Sequence, residues 1–558
     1  MHEALEPPLL LRERLSTILD KALADAIAAG SLPPMPEVTM GIHRRGDELA
    51  DYACADAMRL ARTAKTSPRH IAQTVAGHVA PDLAVADVSV AGPGFINIRL
   101  DENWVLEQIE TILSAGTDFG APHVENPERI QVEYLSANPT GPLTVGAGRV
   151  GVVGDAVARM LEARGHAVTR EYYVNDAGRQ IELLGQTVRC HYASSQGVNI
   201  PLPEDAYRGQ YAVEWGQTIA DEDGDRWVDV SDPANAEAFE IRAVGIALDS
   251  IKHDLDSLGI EFDVWFSERE MRARGDVTAV LETLAEGGHV THRDGAKWFV
   301  GDEGSEDREN VLVRSRGDPT YLATDIAYHR GKFIDRKFDH VINVWGADHQ
   351  GHIPRMKSAL AALKIDPSKL EILVAQMVGV RSDDGLARAG KRTGRFVTLR
   401  EVMDEVGRSA TRYFFLSKAI DSQMEFDLDL AKREGPENPI YYIQMAHARC
   451  AGIQRSANEI RNMPGPDPML LSSPESALVR QLLAYPEVML DATDARQPHQ
   501  IAHYLLDLAR AFHSYYNDHR VITQNARLTA SRLRLVAAVQ QVLANGLDLL
   551  GIDAPEQM

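Results

Sequence analysis

IQVEYLSANPTGPLTVGAGRVGVVGDAVARMLEARG, residues 130–165, changes physical character twice along its length. Ile130, Val132 and Tyr134 alternate with polar neighbours, which is the period of a buried strand. Asn138-Pro139-Thr140-Gly141-Pro142 continues neither a strand nor a helix, because its prolines lack the backbone donor both need. Val150, Val153, Val157, Met160 and Leu161 then recur at helical spacing, and Gly165 stands where a C-terminal cap belongs. Strand, loop and helix in that order aim backbone N–H groups, and the positive end of a helix dipole, at whatever occupies the loop. Gly146 and Gly148 would let a large planar or anionic ligand come close to the backbone. An ordinary βα connection has the same outline, so the stretch argues for an α/β fold more strongly than for a ligand.

The surrounding chain has room for such a fold and more. Its 558 residues allow three or four domains with sizeable cores, and 44% hydrophobic with 25% charged residues is ordinary for a globular protein in water. No run approaches the roughly eighteen apolar residues of a membrane helix, and the opening MHEALEPPLLLRERL does not read as a secretory signal. Cys54, Cys190 and Cys450 lie far apart without Cys-x-x-Cys spacing, which indicates neither a disulfide framework nor a metal site. A reducing cytoplasm fits that usage. The net charge of −23 argues at first against nucleic acid, whose backbone asks for cationic surface. That charge is unevenly placed: residues 441–558 hold ten basic and eleven acidic groups, a net of −1, so the first 440 carry −22. All ten basic residues of the tail are arginine, whose planar fork suits phosphate and stacks on bases. An RNA partner therefore requires a local contact surface.

Taken in order, residues 1–115 read as a small α+β module. A helix is expected over 10–29, a strand after Pro33-Pro34-Met35-Pro36, alanine-rich helices over 51–64 and 66–80, and strand, tight turn, strand over 88–100. A second α/β module is expected over 125–400. Within it, AVTREYYV (167–174) supplies a strand parallel to the first. Residues 190–300, rich in acid and turn residues, read as an insertion between two halves of the sheet. The second half has strands at Val311 and Val313, over 340–345 and over 370–380, with helices from about 323 and over 355–363. The plan is a doubly wound parallel sheet. From residue 398 onward helical periodicity dominates, giving connecting stem helices over 401–440 and a helical bundle over 441–558.

VEYLSANPTGPLTVGAGR resembles the first signature region of class I aminoacyl-tRNA synthetases, and closely that of the arginine-specific family. GPGFINIRL (92–100) is similar to that family's amino-terminal extension, which contacts the tRNA elbow. FHSYYNDHRV (512–521) and NGLDLLGIDAPEQM (545–558) resemble its anticodon-binding domain. The resemblance spans the chain in the expected order. It departs in one place: where the family carries His-x-Gly-His, this sequence reads Thr144-Val145-Gly146-Ala147.

The resemblance implies arginine and tRNA(Arg), or arginyl-tRNA, as partners, ATP with magnesium as substrate rather than resident cofactor, no metal ligands of the chain's own, no membrane and a monomer. It places arginine contacts at Glu133, Asn138, Tyr321 and Asp325, with Gln350 as a further one; Tyr321 and Asp325, four apart, can face one way from a helix. It places the nucleotide against Gly146, Gly148, Gly346, Asp348 and His349, and phosphate chemistry at Thr144, Gly146, Lys391 and Arg392. Thr144 can donate one hydrogen bond where the family has an imidazole; Ala147 offers none from its side chain. Residues 388–394, Arg-Ala-Gly-Lys-Arg-Thr-Gly, stand where Arg-Met-Ser-Lys-Arg is expected. Removing one transition-state donor costs about 10²–10³ in rate. Three activities are consistent with this pattern: an arginine–tRNA ligase; a paralogue using arginine or arginyl-tRNA in another amide-forming reaction without ATP activation; and a non-catalytic binder of tRNA or arginine.

Overall fold

The computed structural model describes residues 10–36, 38–47, 50–229, 233–301, 310–382, 385–387, 397–458 and 463–558. The chain begins with α1 (Leu11–Ala28), β1 (Ile42–Asp47), β2 (Ala50–Cys54), α2 (Asp56–Ala64), α3 (Pro68–His78), β3 (Val85–Ala91), β4 (Phe95–Leu100) and α4 (Glu102–Ala115). Its four strands form an antiparallel sheet in the order β1-β2-β4-β3. Ser67 caps α3 by accepting from the His70 N–H. The helix expected over 51–64 is corrected: it starts only at Asp56, and residues 51–54 lie in β2. There Tyr52 pairs with Ile98 and Cys54 with Ile96, and both side chains are buried. Alanine fits either element, so burial of Tyr52 and Cys54 against the sheet decides.

The second unit is built on β5 (Arg129–Glu133), α5 (Val145–Ala163) and β6 (Ala167–Val174), as the opening stretch predicts. Next come α6 (Arg179–Ser195), α7 (Gln210–Asp223) and α8 (Pro233–Leu258), then β7 (Val264–Ser267), α9 (Glu268–Ala273) and α10 (Asp276–Glu286). A small antiparallel sheet follows, of β8 (Val290–Arg293), β9 (Ala296–Phe299) and β10 (Val311–Val313). The unit then returns through α11 (Tyr321–Arg330), β11 (His340–Gly346), α12 (Ile353–Ala362) and β12 (Leu370–Ala375). Five of these strands form one sheet, β12-β11-β5-β6-β7, parallel throughout. Residues 190–300 are therefore not wholly an insertion, since β7 closes one edge of that sheet. The strand expected over 370–380 is really two: β12 ends at Ala375, and β13 (Val378–Ser382) joins β14 (Gly385–Ala387) and β15 (Met424–Asp427) in another sheet.

Both faces of the five-stranded sheet are covered, which is why its strands read as nearly continuous apolar runs. Ile130, Val132, Tyr172, Ile342 and Val344 pack with α5 in one core; Val341, Leu370, Tyr173 and Phe266 face the core of α10, α11 and α12. Beyond it lie α13 (Leu399–Leu416), non-helical at Gly407, and α14 (Leu428–Lys432). The helical tail comprises α15 (Pro439–Ala457), α16 (Ser473–Leu482), α17 (Tyr485–Asp494), α18 (His499–Asp518) and α19 (Ala526–Leu549).

Charged groups knit these parts together. Arg412 of α13, fully buried, donates to Asp155 of α5 at 2.5 Å, to the Leu258 carbonyl at 3.1 Å and to the Leu550 carbonyl at 2.8 Å. Arg480 of α16 pairs with Asp51 of β2, and Arg534 of α19 with Glu110 of α4, joining the tail to the amino-terminal elements. Cys54, Cys190 and Cys450 are all buried and unbridged. Among the described residues no helix is long and apolar enough to cross a membrane.

Candidate active site

Strand order reverses between β5 and β11, and in a doubly wound sheet ligands bind beyond the carboxyl ends of the strands at that point. Three polar residues lie in register there, on the α10–α12 face: Asn343 opposite Glu133, and Glu133 opposite Glu171. Two carboxylates on adjacent central strands repel each other, and all three side chains are buried. The compensation comes from the turn after α11. Lys332, with no exposure, places its Nζ 2.6 Å from Glu133 Oε2 and 3.0 Å from Asn343 Oδ1, and stands 4.1 Å above the Tyr328 ring. Arg336, one turn on, pairs with Glu171, which also accepts from the Tyr328 hydroxyl. Burial pushes the Lys332 ammonium below its usual range, although Glu133 opposes that shift. Burial likewise works against the Arg336 charge, but Glu171 more than offsets it.

The layer continues through histidine. Asn343 Nδ2 lies 2.7 Å from His329 Nε2, while His329 Nδ1 lies 2.8 Å from the Asp325 carbonyl. An acceptor at Nδ1 and a donor at Nε2 select the neutral Nδ1–H tautomer. Burial, reinforced by Lys332, holds the His329 pKa well below its ordinary value.

Above this layer is the mouth of the site. Asn138 donates to Gln180 at 2.9 Å, and Asn175 is hydrogen-bonded to Asn138 at 3.1 Å and to the Tyr321 hydroxyl at 2.8 Å. Tyr321 is 60% exposed, a large ring standing in solvent at the start of α11. Asp325, one turn further, has Oδ2 2.9 Å from His352 Nε2, and the His352 ring packs beside Trp345. The Tyr173 hydroxyl is buried beside Glu268 and feels the charges of Glu268, Asp325 and Glu133. Burial raises the Glu268 carboxyl above the usual range, Arg272 opposing. The loop leaving β5 is strained: Leu135 and Ser136 have φ of 68° and 35°, a region costing about 1–3 kcal/mol per non-glycine residue. That turn directs Ser136 Oγ back to Glu133 Oε1 at 3.2 Å. Glu133, Asn138, Tyr321 and Asp325 are thus brought to one region, directly or through Asn175 and the Lys332 layer.

The signature loop leads into the start of α5. Thr144 is the N-cap of α5, its Oγ1 accepting from the Ala147 N–H at 3.2 Å, so its hydroxyl hydrogen remains available. A side chain at Gly146 would meet nothing nearer than Thr144 Oγ1 at 3.9 Å, which leaves that side of the helix start open. At Gly148 a Cβ would come within 2.5 Å of Leu399 and 3.2 Å of Phe415, so its small size serves the packing of α5 on α13. The loop is also tied to α13, whose Leu399 N–H donates to the Leu143 carbonyl at 2.8 Å. Arg149, fully buried, donates to the carbonyls of Gln376, Ala419 and Ser422 and so braces α5 against β13 and β15.

At the end of β11, a Cβ on Gly346 would lie 2.6 Å from Asp348 Oδ1, so this glycine makes room for that carboxylate. Asp348, His349 and Gln350 lie exposed on the turn Ala347–His352. Lys391 and Arg392 lie outside the described residues. Sequence reasoning missed Tyr173, Asn175, Glu268, Lys332, His329 and His352 as site residues. Only Asn175, in the Asn175-Asp176-Ala177-Gly178 end of β6, carried a local signal.

Family models match three regions in chain order. The arginyl tRNA synthetase N terminal domain matches residues 13–100, the tRNA synthetases class I (R) catalytic domain residues 108–425, and the DALR anticodon binding domain residues 443–558. An arginine–tRNA ligase of Desulforudis audaxviator is 44% identical over 555 residues, covering 97% of this chain and 98% of its own length. One from Geobacillus kaustophilus is 42% identical over 541 residues, covering 96% and 97%. The solved arginyl-tRNA synthetase of Thermus thermophilus is similar with a TM-score of 0.76 at 25% identity, over 98% of this chain and 100% of that one.

Proposed function

The chain belongs to the class I arginyl-tRNA synthetase family, and from that premise we propose that it is an arginine–tRNA ligase, activating arginine with ATP and transferring it to tRNA(Arg). One observation carries the reading: this family matches the chain in three consecutive regions between residues 13 and 558.

The arginine carboxylate attacks the α-phosphate of ATP and expels pyrophosphate; a tRNA hydroxyl then attacks the resulting mixed anhydride and releases AMP. The chain's part in the first step is positioning and charge. Asp325 and Glu133 face the guanidinium, Asn138 and Gln350 the amino-acid end, and Tyr321 covers the pocket. Gly146 leaves space for phosphate at the start of α5, where Thr144 donates its hydroxyl hydrogen. Gly346, Asp348 and His349 receive the nucleoside, and Lys391 and Arg392 supply positive charge. ATP enters with magnesium as substrate. The amino-terminal module over 1–115 takes the tRNA elbow, the unit over 125–400 carries the chemistry, 401–440 forms the stem, and 441–558 reads the anticodon. A monomer in the cytoplasm is the corresponding setting.

Arginine-dependent exchange of pyrophosphate into ATP, with and without tRNA, tests the proposal. Exchange together with arginylated tRNA is expected. No exchange despite intact tRNA binding would overturn it and leave the paralogue and binder readings, which a mass-spectrometric search for arginylated products separates.

A further inference from the structure

The two carboxylates facing the pocket differ in what already holds them. Glu133 Oε2 is 2.6 Å from Lys332 Nζ and Glu133 Oε1 accepts from Ser136 at 3.2 Å. Lys332 has no exposure and Glu133 very little, so their mutual attraction is little screened. Glu171 is balanced by Arg336, and Glu268 by Arg272. Asp325 has only the His352 imidazole as ion partner among the described residues, and it keeps partial exposure. An ammonium that close to Glu133 cancels most of its field on a ligand further out, although the carboxylate can still accept hydrogen bonds. Unlike Glu133, Glu171 and Glu268, Asp325 has no lysine or arginine partner among the described ion pairs.

We propose that Lys332 is a specificity-determining residue of the pocket: by neutralising Glu133 it leaves Asp325 as the charge that selects a cationic side chain, while Glu133 reads hydrogen-bond donors and shape. The division rests on arginine being the substrate, as proposed above. It explains why an acid in the middle of a parallel sheet, directly opposite another acid, is paired from beneath by a lysine with no exposure of its own.

Calorimetric titration of the full-length chain with arginine, and with citrulline as its uncharged isostere, tests the assignment. Thermal melting and tRNA binding report on the fold of each variant. Glu133→Gln leaves a lone buried ammonium and is expected to weaken arginine binding about 100-fold or more, since breaking a buried pair from one side is costly. The double variant Glu133→Gln, Lys332→Met restores charge balance and is expected to bind arginine within about tenfold of the unaltered chain. Asp325→Asn is expected to lose about 100-fold in arginine affinity and most of the preference over citrulline. A double variant binding arginine no better than Glu133→Gln alone overturns the inference. So does an Asp325→Asn chain that keeps its full preference, and this arm stands even where substitution of the buried pair prevents folding. If the unaltered chain binds no arginine, the ligase reading fails first; if it binds and the double variant does not, only the role of Lys332 fails.

Discussion

Thr144 serves two purposes at the residue scale. Its oxygen caps α5 through the Ala147 N–H while its hydrogen stays free to donate. One hydroxyl thus covers part of what two imidazoles would supply, and the neighbouring position supplies nothing. The double substitution Thr144→His, Ala147→His is expected to raise pyrophosphate exchange by about 10²–10³ or more, the usual worth of a restored transition-state donor. It should also lower stability by about 1 kcal/mol through loss of the cap. Exchange assays beside a denaturant titration check both, and unchanged exchange would place the limiting group elsewhere. The residues beneath the pocket could not be read in advance for a plain reason. Lys332 is 199 positions from Glu133, and His352 is 27 from Asp325, so no local period or spacing marks either pairing. Glu133, Asn138, Tyr321 and Asp325 are candidates because family wording flanks them, not because of any pattern in their own surroundings.

Elements were legible where one physical signal dominated. α5 follows from its apolar period, its loop and its Gly165 stop, whose φ is 89°. β7 was hidden because Val-Trp-Phe-Ser is short and sits between the long helix α8 and the short α9 in an acidic stretch. Residues 370–380 concealed a change of sheet, since an apolar run reports burial without saying which partner buries it. Gly148 shows the same ambiguity for a single glycine: ligand approach and helix packing both demand the absence of a side chain. Gly148→Ala is expected to destabilise the chain by about 1–3 kcal/mol by forcing Leu399 and Phe415 aside, read as a lower denaturation midpoint. Gly146→Ala, which meets open space, should change stability far less.

For the whole molecule, Arg412 is the junction to test. It joins α5, the end of α8 and the end of α19 from a position without exposure, and burial pulls its pKa down while Asp155 pushes back. Arg412→Met is expected to cost about 3–5 kcal/mol, since Asp155 is left with weaker compensation and two carbonyls lose a donor. A melting temperature unchanged by this substitution would contradict that role. Acid should weaken the fold as well. Burial lowers the pKa of His329 well below 6.5, and those of His166, His191, His499 and His513 in the same direction. Below 6.5 the unfolded chain therefore binds protons that the folded chain refuses, so stability falls as pH falls, by at most about 1.4 kcal/mol per pH unit for His329. Unfolding curves between about pH 5 and 7 check the sign. The arginine-rich tail also looks different in three dimensions. Arg480, Arg496, Arg532 and Arg534 are engaged by Glu102, Asp51, Glu371, Glu475 and Glu110, so much of that charge holds the protein to itself.

The hidden thiols have a practical corollary. Burial raises the pKa of Cys54 to about 11 and that of Cys450 well above its ordinary value, and shifts Cys190 the same way, which leaves all three poor nucleophiles toward maleimide dyes. A cysteine introduced at Leu83, 82% exposed on the amino-terminal module, would be labelled selectively. Paired with a second fluorophore on the helical tail, it would turn the native chain into a spectroscopic ruler for domain movement, with no background thiol to remove first.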